Sequence, residues 1–333
     1  MAADSVTTLP AARSSDDGAR RLADSADPHT PDATTTVASP VVLSMSLGIL
    51  CRGNGDPTYE QTADGSIWRG CLTPDGPGTV RVRRSGPLVE IDAWGEGATW
   101  LVKQGPEMIG AEDDLAGFAE LVSDHPLLRD AHRRLPGLRI IRTGLVLQSL
   151  VPAILEQRVT TMEAYRAWRT LVRAHGSPAP GPAPDGLLVP PTPRAWALIP
   201  SWEWHAAGVD GKRSTAVMNA VRLAPALERT IGLPPGEAAK RLMTVPGIGE
   251  WTAAETMQRA HGCADFVSVG DYHLAKMIGY VFTGERNADD ARMLELLAPY
   301  RPHRYRAARL ALAYGPRRPR LAPRLAPCDH RQR

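Results

Sequence analysis

Lysine is almost missing from this 333-residue chain: 4 residues stand against 35 arginines. The bias reads mainly as genomic base composition, with bidentate phosphate contacts as a by-product. Cysteine is scarce as well. Cys51, Cys71, Cys263 and Cys328 form no close C-x-x-C pair, which argues against a zinc knuckle and signals no compact four-thiolate cluster. A disulfide framework is not expected at this density. No apolar run is long enough to span a membrane, and the N-terminus lacks a basic-plus-apolar signal segment. A reducing intracellular compartment is the expectation. The formal net charge is only +3. It is uneven: residues 1–38 carry six Asp and three Arg, and the last 19 residues carry six Arg and one Asp. A mild basic excess fits a nucleic-acid enzyme without excluding many others.

The length allows two domains with real cores. Residues 1–38, rich in Ala, Ser, Thr, Asp and Pro, are expected to be a disordered tail. A first domain is read over 39–124. VVLSMSLGIL is an apolar run of strand length, CRGNGDPTYEQ is turn-rich, and SIWRGCL, TVRVRRS and LVEIDAW follow as short strands. Val80 and Val82 alternate with Arg81 and Arg83, as in a sheet with one wet face. Residues 94–110 look less regular, and 112–123 look helical. This is an α+β unit with a small antiparallel sheet.

A helical domain is read over 125–315. Leu147, Leu150, Val151 and Ile154 form a stripe within 144–158, and Tyr165, Trp168, Leu171 and Val172 another within 161–174. Residues 176–193 hold too much proline for a helix and form a surface loop. Short helices are expected at 193–199, 201–207, 212–224, 235–243, 271–282, near 287–298 and near 303–313. Residues 316–333 are a basic, Pro- and Arg-rich tail.

The informative stretch is LMTVPGIGEWTAAETMQRAHGCADFVSVGDYHLAKMIGY, residues 242–280. Val245 to Gly249 make a tight turn, and Glu250 to Ala260 carry Trp251, Ala254, Met257 and Ala260 at helical spacing. Glycines let the backbone approach a partner closely. A helix starting after such a turn offers free N–H groups to phosphate. A single carboxylate, Asp271, then opens another helix. An anion-binding turn followed by a lone acid suggests an enzyme working on DNA. Blander readings stay open at this point. Gly247 and Gly249 fit an ordinary turn between packed helices. Ser268 and Asp271 are spaced as a capping box. Trp251 sits on an apolar stripe, and Lys276 fits a solvated face.

The pieces VPAILEQRVTTMEAYR, VPGIGEWTAAE, SVGDYHLAKMIGY and LLAPYRPHRYRAARLAL occur in the order found in the helix-hairpin-helix DNA glycosylases. Over residues 40–318 the chain resembles the bacterial 3-methyladenine-DNA glycosylase II family of that superfamily. The resemblance implies an N-terminal domain like half of the TATA-binding-protein fold and an all-α helix-hairpin-helix glycosylase domain. It implies that Val245, Gly247 and Gly249 bind a backbone phosphate, with a monovalent Na+ or K+ on the carbonyls of Val245 and its hairpin neighbours, and that Thr252 reaches the phosphate. Asp271 would be the catalytic aspartate. Trp251, Tyr272 and Trp202 would contribute to an aromatic base pocket. Arg158 falls where a relative wedges a residue into the duplex, and Lys276 would line the DNA face. Leu312 falls near a position that is aromatic in the best-known member.

Relatives that also cut the strand carry lysine where this chain has Trp251, and that lysine forms an imine with the sugar. The endonuclease III branch carries a four-cysteine iron–sulfur cluster that these cysteines do not match. The resemblance therefore implies a monofunctional enzyme with no organic cofactor, a monomer acting on damaged double-stranded DNA, bacterial and cytoplasmic. The base would leave the stack. A carboxylate beside the sugar would stabilise the oxocarbenium charge and orient water. Alkylated purines such as 3-methyladenine and 7-methylguanine are the expected substrates. Hypoxanthine or an oxidised base is the nearest alternative, and a non-catalytic hairpin protein that only binds DNA is the other.

Overall fold

The computed structural model describes residues 29–319. Most of the expected N-terminal tail and all but the start of the C-terminal one lie outside the described residues. Five antiparallel strands form one sheet in the order β1-β5-β4-β3-β2: β1 (Ala33–Ala38), β2 (Tyr59–Gln61), β3 (Ile67–Thr73), β4 (Gly76–Ser85) and β5 (Leu88–Trp94). The period-2 alternation of β4 points Val80 and Val82 into the core, where they meet Ile91, Leu101 and Met108. Arg81 points the other way, pairs with Asp92 at 2.7 Å and packs against the stacked rings of Trp68 and Trp94.

The first domain departs from its sequence reading in several places. Residues 33–38 are an edge strand rather than the end of a tail, because the Thr-rich run ATTTVA suits a half-buried pleat and pairs with β5 along its length. The apolar run near residue 45 is not a strand but α1 (Leu43–Leu47), continued as a 3-10 turn to Leu50. Residues 98–108 form α2 (Ala98–Met108), a full helix despite Gly105 and Pro106. Gly105 is there because a Cβ would come within 2.7 Å of Ile91 on the sheet. The expected helix over 112–123 shrinks to α3 (Phe118–Leu121). The wet face is also partly roofed. The proline-rich loop folds back, pairing Ser177–Pro178 with Leu188–Val189, and packs Leu187 on Trp68 and Trp94.

The helical region holds two cores. The larger is built by α5 (Val146–Leu155), α6 (Thr161–His175), α7 (Pro193–Ala197), α8 (Ser201–Ala206), α9 (Gly211–Arg222), α10 (Ala224–Glu228), α11 (Pro235–Met243) and α12 (Glu250–Arg259). The smaller joins α3 and α4 (Pro126–Arg134) to α13 (Leu274–Thr283), α14 (Asp290–Leu297) and α15 (Arg304–Tyr314). Trp168, Trp196 and Trp204 stack in the larger core at centroid spacings of 6.2 and 5.8 Å. No side chain caps α5 locally. The Glu228 carboxylate of α10 instead accepts from the Val146 and Leu147 amides at 2.9 and 2.8 Å, and burial pushes its pKa up. This clamp sets the direction in which α5 delivers the turn at Gln157–Arg158 to the hairpin.

Candidate functional site

The hairpin between α11 and α12 is fixed from below and open above. Val245 and Ile248 are 1 % and 6 % exposed and anchor it in the larger core. Gly247 and Gly249 lie on the surface. Gly247 has φ +95°, and a Cβ there would come within 2.6 Å of the Ala216 side chain, so only glycine fits without strain. Gly249 is the N-cap of α12 in extended backbone, with no side-chain cap and open space around it. The first helical bond of α12 runs from Ala253 N–H to Gly249 O at 2.9 Å, so the amides of residues 250–252 lie upstream of the helix's own pairing. Asn219 donates to the Pro246 carbonyl at 3.2 Å, and Gln157 donates to the Gly247 carbonyl at 3.0 Å.

Gln157 also donates to Thr252 Oγ1 at 2.8 Å. Thr252 is 2 % exposed, so its hydroxyl faces inward rather than toward a phosphate; the third helical position points at the core. The neighbouring Arg158 is exposed and holds φ +55°, unusual for a residue with a Cβ. The turn carrying it is thus tied to the hairpin through Gln157.

Asp271 lies in the turn that enters α13. Its Oδ1 accepts from the His273 and Leu274 amides, both at 2.8 Å, and its Oδ2 accepts from Trp251 Nε1 at 3.2 Å. The capping-box spacing with Ser268 does not operate. Asp271 instead accepts from the amides at the entry to α13, while the Ser268 hydroxyl turns to Glu255. Gly270, at φ +86°, makes the turn and donates its amide to Asp290 at 3.0 Å.

The carboxylate opens on a cavity of about 300 Å³ between the two helical cores, walled by α12, α13 and α15 and closed on one side by Ile49. That volume is at the small end of ligand pockets. Leu274, Met277 and Leu312 supply apolar wall, Tyr305 a ring, and Glu255 a second carboxylate. The expected aromatic lining is not what walls it. Trp251 is half-buried and meets the site through its N–H. Tyr272 is 70 % exposed, with the half-buried Lys276 ammonium 4.6 Å from its ring centroid. Trp202 is 71 % exposed on α8: in the run SWEW the two tryptophans are two apart, so burying Trp204 turns Trp202 outward. Sequence reasoning missed Glu255, Tyr305 and Arg309. Glu255 carried a signal, because it lies four residues after Trp251 and so shares its side of the helix.

No family model matches the chain. It is similar to a DNA-3-methyladenine glycosylase of Bacillus subtilis, 24 % identical over 205 residues, which are 60 % of this chain and 67 % of that protein. It is also similar to a probable bifunctional transcriptional activator/DNA repair enzyme AlkA of Mycobacterium tuberculosis, 27 % identical over 234 residues. There the match takes in 67 % of this chain but spans only 46 % of the relative. Among solved structures, a 3-methyladenine DNA-glycosylase from Archaeoglobus fulgidus superposes with a TM-score of 0.70 at 15 % identity, covering 84 % of this chain and 97 % of its own. An 8-oxoguanine glycosylase/lyase from Clostridium acetobutylicum gives 0.67 at 15 % identity over 85 % and 96 %. At such identities the structures speak for the fold alone.

Proposed function

We propose that this chain, a helix-hairpin-helix DNA glycosylase by fold and motif, excises alkylated purines such as 3-methyladenine and 7-methylguanine from duplex DNA by hydrolysing the N-glycosidic bond. The observation that carries the reading is the Asp271 carboxylate, held by three N–H donors at the mouth of a purine-sized cavity. The Bacillus subtilis relative, named for 3-methyladenine, favours alkylated over oxidised bases.

In this reading the hairpin amides at Gly247 and Gly249, with those opening α12, grip a backbone phosphate. Arg158, on the turn tied to the hairpin by Gln157, meets the same stretch of duplex. The damaged nucleotide swings into the cavity, at a cost of a few kcal/mol that damage lowers. The sugar gains positive charge as the bond breaks. The fixed Asp271 carboxylate stabilises that charge without reorganising and orients the incoming water. An alkylated purine already carries positive charge and leaves with little acid assistance. Trp251 stands where strand-cutting relatives place lysine, so the product is an abasic site in an uncut strand.

A monovalent cation at the hairpin fits this turn. The carbonyls of Val245, Pro246 and Gly247 each accept one hydrogen bond, from Ile248, Asn219 and Gln157, and a carbonyl oxygen has a second lone pair. Such an ion would tie the phosphate to the turn. The protein would act as a monomer.

The test is incubation with duplexes carrying 7-methylguanine or 3-methyladenine. Free base should be released, with strands that break only on alkali treatment and no adduct trapped by borohydride. Strand breaks without alkali would refute the monofunctional reading. Release of neither base would refute the substrate assignment.

A further inference from the structure

Glu255 is a carboxylate on the cavity wall that the hydrolysis does not use. Its side chain is 13 % exposed and held at both oxygens. The Ser268 hydroxyl donates to Oε1, and Arg259 Nη1 donates to Oε2 at 2.6 Å. Both supports are themselves fixed. Gln258 Nε2 donates to Ser268 Oγ and to the Phe266 carbonyl, each at 2.9 Å. Arg259 also reaches the Ile49 carbonyl at 3.4 Å. A carboxylate has about four acceptor positions, so two protein donors leave acceptor capacity on the wall. The other arginine of the wall does not use it: Arg309 spends its Nη groups on the Met45 and Arg139 carbonyls.

Resting on the glycosylase reading above, we propose that Glu255 is a specificity-determining residue: its fixed carboxylate accepts from the N–H edge of the extruded purine. The amino group of an adenine, or the N1–H and 2-amino group of a guanine, satisfies it. A purine whose edge carries no N–H, such as 1,N6-ethenoadenine, leaves a buried carboxylate facing acceptors, and a site built to hydrogen-bond rejects a ligand lacking the partner. The chain thereby selects within damaged bases by donor pattern, in a pocket whose walls hold little aromatic surface for stacking.

The experiment compares single-turnover release of 7-methylguanine and 1,N6-ethenoadenine from otherwise identical duplexes, with wild type and Glu255→Gln. The amide supplies an N–H of its own, so the 7-methylguanine to ethenoadenine rate ratio should fall at least tenfold. Equal losses on both lesions would make Glu255 merely structural and overturn the proposal, as would an unchanged ratio. Quenching of tryptophan fluorescence by free 3-methyladenine reads the pocket without catalysis. Binding should weaken at least tenfold in Glu255→Gln, and equal binding refutes the role. If wild type releases neither lesion but binds the free base through Glu255, the substrate assignment fails while the contact of Glu255 with the base stands. Should Glu255→Gln not fold, Ser268→Ala keeps the carboxylate and its arginine but frees Oε1. The ratio should then fall several-fold, and no change would overturn the proposal.

Discussion

Replacing Trp251 by Phe keeps a ring of similar place and removes one donor. The Nε1–H to Asp271 Oδ2 bond is 3.2 Å long, whereas both amide bonds to Oδ1 are 2.8 Å. Without the indole donor, Oδ1 stays pinned but the carboxylate plane can turn about it, so Oδ2, the oxygen proposed to face the sugar, would lose its position. A hydrogen bond to a charged group contributes about 1.5–3 kcal/mol, and the length of this one puts it at the lower end. About 1.5 kcal/mol corresponds to roughly a tenfold rate loss. The assay is single-turnover release of 7-methylguanine, with affinity for the same duplex measured in parallel. The rate should fall about tenfold while DNA affinity changes by less than a factor of about two. A rate within about twofold of wild type, at the same temperature and salt, would refute the positioning argument. Equal loss of affinity would instead place Trp251 in duplex binding.

Gly247→Ala must adopt positive φ and push against Ala216; it should cost about 2–4 kcal/mol of stability, read by thermal melting, and weaken binding even to undamaged DNA. Arg306, 1 % exposed, holds the 4 % exposed Asp113 through two nitrogens. Arg306→Met should therefore destabilise by about 3–5 kcal/mol, and Asp113→Asn in the same chain should recover part of it. Burial, helped by the charge of Arg142, lowers the His261 pKa to about 4. The unfolded chain takes up this proton below its ordinary value, about 6.5, while the folded one stays neutral to about pH 4. Stability should thus fall by about 3 kcal/mol as pH drops through that window and level off below it, and His261→Gln should flatten the slope in denaturant titrations.

The parts legible in the sequence were those set by short-range pattern. The turn Val245–Gly249 shows itself by two glycines interleaved with the apolar anchors Val245 and Ile248, and the helices around it by their stripes. What stayed hidden depends on neighbours distant in the chain. The strand at 33–38 is polar and Thr-rich, and only its partner β5 identifies it. The helix at 98–108 contains Gly105 and Pro106, and the closeness of Ile91 explains that glycine. The cavity collects Ile49, Glu255, Asp271 and Tyr305 from four separate elements, so spacing could suggest Asp271 through its turn but not its company. The aromatic pocket was overread because Trp202 and Tyr272 were judged by residue type, without the direction that α8 gives the one and the turn before α13 gives the other.

In the proposed reaction Asp271 performs the chemistry and the hairpin performs the binding. The most direct measurement is single-turnover base release from a 7-methylguanine duplex by wild type and Asp271→Asn, alongside the affinity of each for that duplex. Wild type should release the base, the variant should lose on the order of 10²–10³-fold or more in rate, and its affinity should stay within a few-fold of wild type. Base release by Asp271→Asn at a rate near that of wild type would contradict it.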